Sequence, residues 1–170
     1  MKKLGLVLSL FMLAGCAGGA GKTVNVKDAV NAAYATVEEA NKVATMEMDK
    51  ETVTFYFTLD EAIVKDAYGI GPMMSAHIDM IAAVEAANEN DAALSESMME
   101  TYQDNLEMDH FQYPSNLAAI SEAEIFTEGN NVYYVRLNTY TSDELSDEQK
   151  SEVIEKINDK AEQAIEALHK

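Results

Sequence analysis

Apolar positions recur along this chain in two periods, which predicts a mixture of helices and strands. Val26, Val30, Ala33, Tyr34, Val37, Ala44 and Met48 follow helical spacing, so an amphipathic helix is expected over residues 26 to about 48, capped by Asn25. Residues 52–57 are β-branched and aromatic and read as extended. Thr58 and Glu61 then have the spacing of a capping box for a short helix that stops at Gly69. Residues 76–86 fit both periods: Ile78, Met80, Ala82 and Val84 alternate as in a strand, yet the alanines also suit a helix. Leu94, Met98, Tyr102 and Leu106 place a helix over about 91–106. Residues 120–127 and 132–140 read as two strands joined at Gly129-Asn130-Asn131, where glycine and asparagine tolerate positive φ. From Ser146, with Gln149 completing a capping box, Ile154, Ile157, Ala161, Ala164 and Leu168 define a last amphipathic helix. Its stripe covers about two heptads, too few for a coiled coil, and Val153 and Ile165 widen it, so it is expected to dock on the chain's own sheet.

The N-terminus departs from this pattern. Lys2 and Lys3 precede an apolar run over residues 4–14, too short for a mature membrane span and shaped like a secretory signal. The run ends in Leu13-Ala14-Gly15-Cys16, which resembles the lipobox of bacterial lipoproteins. That resemblance implies a signal peptide over residues 1–15, cut before Cys16, and a diacylglyceryl group on the Cys16 thiol. Two acyl chains anchor stably where one does not, at about 0.8 kcal/mol per buried methylene. The small residues that follow make 16–25 a flexible tether. Gly21-Lys22-Thr23 ends like a phosphate-binding loop, but Cys16 stands where the first glycine belongs and no strand precedes it.

Composition narrows the function classes. The chain has 170 residues with 30 acidic and 12 basic side chains, a net charge of −18, and a single arginine, Arg136. Nucleic acid is excluded as a partner, since a phosphate backbone needs a basic face. One cysteine excludes an internal disulfide and a cysteine-built zinc site. Sparse glycine and proline after residue 23 point to one compact domain over 26–141, followed by the helix within 142–170.

Several features taken together carry a family resemblance: one helix after the lipobox, Tyr68-Gly69 and Pro72-Met73-Met74, and a helix bearing Tyr102 and Gln103. Tyr113-Pro114 and a strand turning through Gly129-Asn130 into a tyrosine- and valine-rich strand complete it. Over roughly residues 27–140 the chain is similar to bacterial envelope lipoproteins carrying domain of unknown function 4358, found mostly in Firmicutes. The resemblance implies no established activity, and it tips residues 76–86 toward strand. The expected fold is therefore α+β, a small antiparallel sheet of about three strands packed against helices.

No constellation forms a catalytic site on spacing alone, and no enzyme activity or cofactor is expected. Ser75, His77 and Asp79 alternate, so on a strand they share one face, but neighbours two apart stand about 6.5–7 Å apart, beyond hydrogen-bond reach. His77 and Asp79 as a metal pair lack a third ligand, and a solvated edge is the expected setting. Asp109-His110 reads as a loop pair without catalytic duty, and His169 as a frayed terminus. Met98 reads as core filler, whereas Met73, Met74 or Met99 is a candidate adaptable surface for a protein partner. The seventy residues between Lys65 and Arg136 hold thirteen acids and no lysine or arginine. Glu85, Glu89, Asp91, Asp104, Glu107 and Asp109 are the cation candidates, should they gather in one pocket. The expected function is a lipid-anchored module on the extracytoplasmic side of the membrane that binds an envelope protein or component. The alternative is a binder of cations or small cationic ligands.

Overall fold

The computed structural model describes residues 24–139 and 145–170. The expected signal peptide, Cys16 and nearly all of the tether lie outside these residues, as does the end of the strand expected to reach Tyr140. Among the described residues, no helix is long and apolar enough to cross a membrane.

The chain opens with α1 (Val26–Ala35), whose first turn is capped by the Asn25 side chain accepting from the Lys27 and Asp28 amides. The helix stops there rather than at residue 48. A 3-10 turn (Glu39–Asn41) follows, and residues 45–48 form β1 (Thr45–Met48). The apolar residues after Val37 kept a helical spacing, but Met48 meets the glycines of a neighbouring strand and so belongs to the sheet.

Next comes α2 (Lys50–Phe57), where an extended segment was expected. The Asp49 side chain caps it, accepting from the Thr52 amide at 2.9 Å, and Val53, Thr54 and Phe57 lie on its buried face. Cap and packing together override the β preference of its residues. Thr58 ends it in the left-handed region (φ 55°). Asp60, not Thr58, then caps a short 3-10 turn (Glu61–Ile63), and the chain continues as β2 (Val64–Pro72) through the two glycines read as a stop.

After β3 (Met80–Ala86), which settles residues 80–86 of the ambiguous segment as strand and leaves 76–79 outside it, come α3 (Glu89–Glu107), α4 (Leu117–Ser121), β4 (Glu124–Glu128), β5 (Asn131–Arg136) and α5 (Asp147–His169). Ile120, expected in a strand, is part of α4. The β4–β5 turn uses Gly129 at φ 63°, as its sequence predicts. The helix after Ser146 forms with its reciprocal capping box intact.

The sheet has five antiparallel strands in the order β1-β2-β3-β5-β4, against the three expected. Alternation along the central strands sends Ile81, Ala83, Tyr133 and Val135 to one face, under α1 and α5. Met80, Ala82, Val84, Val132 and Tyr134 go to the other face, under α2 and α3. The sheet therefore lies between two helical layers, which explains why β3 and β5 read as nearly unbroken apolar runs.

On α3 the buried positions are Ala92, Ser95, Met99 and Gln103, one step around from the predicted stripe, and Leu94 is exposed. Gln103 is drawn inward because it accepts from the Tyr134 hydroxyl at 2.6 Å and donates to the Ile120 carbonyl. Met99 is thus core and offers no surface, while Met73 and Met74 are exposed.

The last helix docks as anticipated: Ile154, Asn158, Ala161 and Ile165 are buried, although Val153 stays exposed. Buried Asn158 accepts from the Leu137 amide at 3.0 Å and donates to the Glu122 carbonyl, tying α5 to the ends of β5 and α4. His169 is not frayed. Its Nε2 lies 2.8 Å from the buried Tyr133 hydroxyl, and its ring stands edge-on to that tyrosine.

Candidate functional site

A small satellite core of Ile78, Ala119, Ile120 and Ile154 joins the β2–β3 connection, α4 and the start of α5. Beside it lies a cavity of about 740 Å³, within the range of small-molecule sites. Ala76, His77 and Asp79 line it from the β2–β3 connection, and residues 113–118 from the approach to α4 and its first turn. Asn138 and Thr139 contribute from the chain leaving β5, Asp147, Lys150 and Ser151 from the first turns of α5, and Asn41 and Val43 from the segment before β1.

This frame is held by polar groups. Arg136 is 2% exposed; its Nε donates to the Ile78 carbonyl at 2.9 Å and its Nη1 donates to the Tyr134 hydroxyl. The only arginine of the chain thereby fixes the connection that carries His77 and Asp79. Asn116 Nδ2 donates to the Ala76 carbonyl at 3.2 Å, and Asn138 Nδ2 donates to both Asn116 Oδ1 and the Ser115 carbonyl at 3.2 Å. The Asn138 amide donates to Asp79 Oδ1 at 2.9 Å. The two asparagines therefore spend their side chains on the scaffold, which preorganises the cavity wall.

Asp79 is 5% exposed, and its buried Oδ2 has no hydrogen-bond partner among the described residues. Burial pushes its carboxyl up from the ordinary value, against the Asn138 amide bond and the nearby charges of His77 and Arg136, which pull it down. The expected solvated face is corrected at Asp79, which lies just before β3 rather than in a strand and is buried where α4 and α5, distant in sequence, pack on Ile78, while His77 is half-buried. Ser75 is exposed in the preceding turn, whereas His77 and Asp79 share the cavity. His110 lies exposed beyond the end of α3.

The six cation candidates do not meet. Glu89 and Asp91 begin α3, while Asp104 and Glu107 end it and Asp109 follows. At 1.5 Å per residue the two groups stand about 20 Å apart. Glu85 faces Lys65 at 3.6 Å.

A different set gathers instead. Carboxylate oxygens of Glu124 on β4 and of Asp159 and Glu162 on α5 all lie within 4.8 Å of one another. Burial, then the adjacent Glu162 and Asp159, push the Glu124 carboxyl up to about 8. Oxygen donors of this kind suit hard cations, and without one the cluster is a point of mutual repulsion. Sequence reasoning missed it because Glu124 is far from the other two along the chain. The available signal was Asp159 and Glu162, three apart and flanking the buried Ala161, so both fall at the edge of the docked stripe.

Neither curated proteins nor solved structures gave a match to this chain. Residues 37–137, more than half of the chain, match a family description. That span runs from the approach to β1 through the end of β5, so it contains the whole sheet with α2, α3 and α4, while α1 and α5 lie outside it. It includes the segments that present His77, Asp79 and Asn116 to the cavity. By this match the chain belongs to the family described as Domain of unknown function (DUF4358).

Proposed function

We propose that this chain is a lipid-anchored, non-enzymatic binding module of the bacterial envelope, and that it takes an envelope component into the cavity beside Asp79. The lipobox-like residues 13–16 support an anchor on Cys16 and an extracytoplasmic position. The observation that carries the binding reading is the cavity wall. Its amides are closed on one another, which preforms a cavity of about 740 Å³ with His77, Asp147 and Lys150 at its wall. Binding rather than turnover fits this arrangement, since Asp79 is held through Oδ1 by a backbone amide and Asn116 and Asn138 serve the scaffold.

The test uses the full chain in detergent, unfolded thermally with and without the small-molecule fraction of a bacterial envelope extract. A ligand at a hundred times its dissociation constant adds about 2.7 kcal/mol, or several degrees at roughly 2–4 °C per kcal/mol. The shift is expected in the native chain and lost in Ser115→Trp, which fills the cavity. A shift that survives Ser115→Trp refutes the site.

A second reading, docking of an envelope protein, is favoured by one observation. Phe111 is 94% exposed, and Tyr113 and Leu117, both more than half exposed, lie at the cavity. Under that reading Phe111→Ala weakens the complex while Ser115→Trp need not.

A further inference from the structure

We propose that the pole of the fold farthest from the anchor is a docking surface for a basic protein segment, with Met73, Met74, Phe111 and Tyr113 at its centre and Asp104, Glu107 and Asp109 on its rim. This rests on reading Cys16 as the lipid anchor, and it gives the docking reading a side and a partner chemistry. The chain enters the fold at Val24, whose carbonyl accepts from the buried Asn131 Nδ2 at 2.8 Å. Asn131 opens β5 and pairs with Glu85 near the end of β3, whereas Arg136 pairs with Met80 at its start. Asn138, at the cavity, lies seven residues along from Asn131, about 24 Å of extended chain. The α3 helix runs the same way, from behind the end of β3 to the far pole, where Leu106 packs on the Ile78 cluster.

Apolar surface gathers at that far pole. Among the described residues, Met73, Met74, Phe111 and Tyr113 are each more than half exposed. They sit on two loops joined by the hydrogen bond from Asn116 Nδ2 to the Ala76 carbonyl, and Tyr113 continues into the cavity wall. Exposed aromatic and methionine side chains brought together in this way mark an interface. On an anchored protein the two occupants to weigh are its own membrane and another protein. Chain length decides against the membrane. Eight residues separate Cys16 from Val24, no more than about 29 Å when fully extended. Bringing the far pole to the bilayer would draw that segment taut along the whole fold. Charge points the same way. Asp104, Glu107 and Asp109 are exposed beside the loops, and residues 66–135 hold no lysine or arginine. That disfavours anionic headgroups and complements a protein whose apolar anchors are flanked by lysine or arginine.

The experiment places a photo-cross-linking phenylalanine analogue at position 74, 111 or 55 of the full chain, in the membranes of the cells that produce it. Positions 74 and 111 are expected to capture the same protein, at a segment with lysine or arginine beside apolar residues. Position 55, where another highly exposed aromatic stands on α2, should not capture it. Asp104→Lys combined with Glu107→Lys should lower the yield about tenfold. Unaltered thermal unfolding of each variant shows that the fold is kept. Lipid adducts at position 111 overturn the proposal in favour of membrane contact. Equal capture from position 55, no capture from 74 or 111, or a yield indifferent to the two charge reversals overturns it as well. Retention of Cys16→Ser on washed membranes overturns the anchor reading and the assignment of a far pole with it. Lost capture while Cys16→Ser is released overturns the docking alone.

Discussion

Replacing Glu124 by glutamine tests whether the three-carboxylate contact between β4 and α5 is a strained one. Glu124 is only half-buried, but Asp159 and Glu162 share its surroundings within 4.8 Å, and its carboxyl rises from 4.5 to about 8. A raised carboxyl means that the folded chain holds a proton the unfolded chain has released. Below the ordinary value both states are protonated and nothing is lost; from there to about pH 8 stability falls as pH rises, and above pH 8 the loss is complete. Taken at face value, a rise of this size is worth about 5 kcal/mol at 1.36 kcal/mol per unit. Solvent access to the group reduces this to about 1–2 kcal/mol. Glu124→Gln removes the charge and keeps the shape, so it should match the native chain near pH 4.5 and exceed it at pH 8 by about 2–8 °C in Tm, at roughly 2–4 °C per kcal/mol. The assay is circular-dichroism melting of the full chain at both pH values, with a chelator present to exclude metal. A Tm at pH 8 equal to or below the native one, or a gain independent of pH, refutes the reasoning.

Three further outcomes follow from particular contacts. Asn158→Ala leaves the Leu137 amide and the Glu122 carbonyl without their buried partner and should cost about 2–4 kcal/mol in denaturant melts. Gly69→Ala places a Cβ 2.6 Å from Met48 Cε and 3.1 Å from the Ile81 carbonyl. It should cost about 1–3 kcal/mol in the same melts. Cys16→Ser should abolish incorporation of labelled fatty acid and release the protein from washed membranes.

Local chemistry made some of this architecture readable. The Ser146–Gln149 box and a stripe from Ile154 to Ile165 specify α5 by themselves, and Gly129 announces the β4–β5 turn. What failed was decided by partners far along the chain. Residues 52–57 have strand composition, but Asp49 caps them and Val53 and Phe57 find the core only in a helix. The glycines of β2 read as a helix stop because nothing near them in sequence reveals that Met48 packs against their bare backbone. With β1 and β2 hidden in this way, two of the five strands went unseen. The site followed the same rule: His77 and Asp79 stood out by spacing, but the cover that buries Asp79 comes from segments tens of residues away. Charge density along the chain pointed to Glu89 and Asp104, which α3 holds apart, and missed Glu124, Asp159 and Glu162, which folding joins.

The central claim is that ligand enters the cavity framed by the β2–β3 connection, α4 and the start of α5. Hydrogen–deuterium exchange of the full chain with and without the small-molecule fraction of a bacterial envelope extract tests it most directly. The account predicts slowed exchange at residues 76–79, 115–118, 138–139 and 147–151, with the ends of α3 unchanged. Slowing confined to residues 89–91 and 104–109, or to the exposed segment around Phe111, would contradict it.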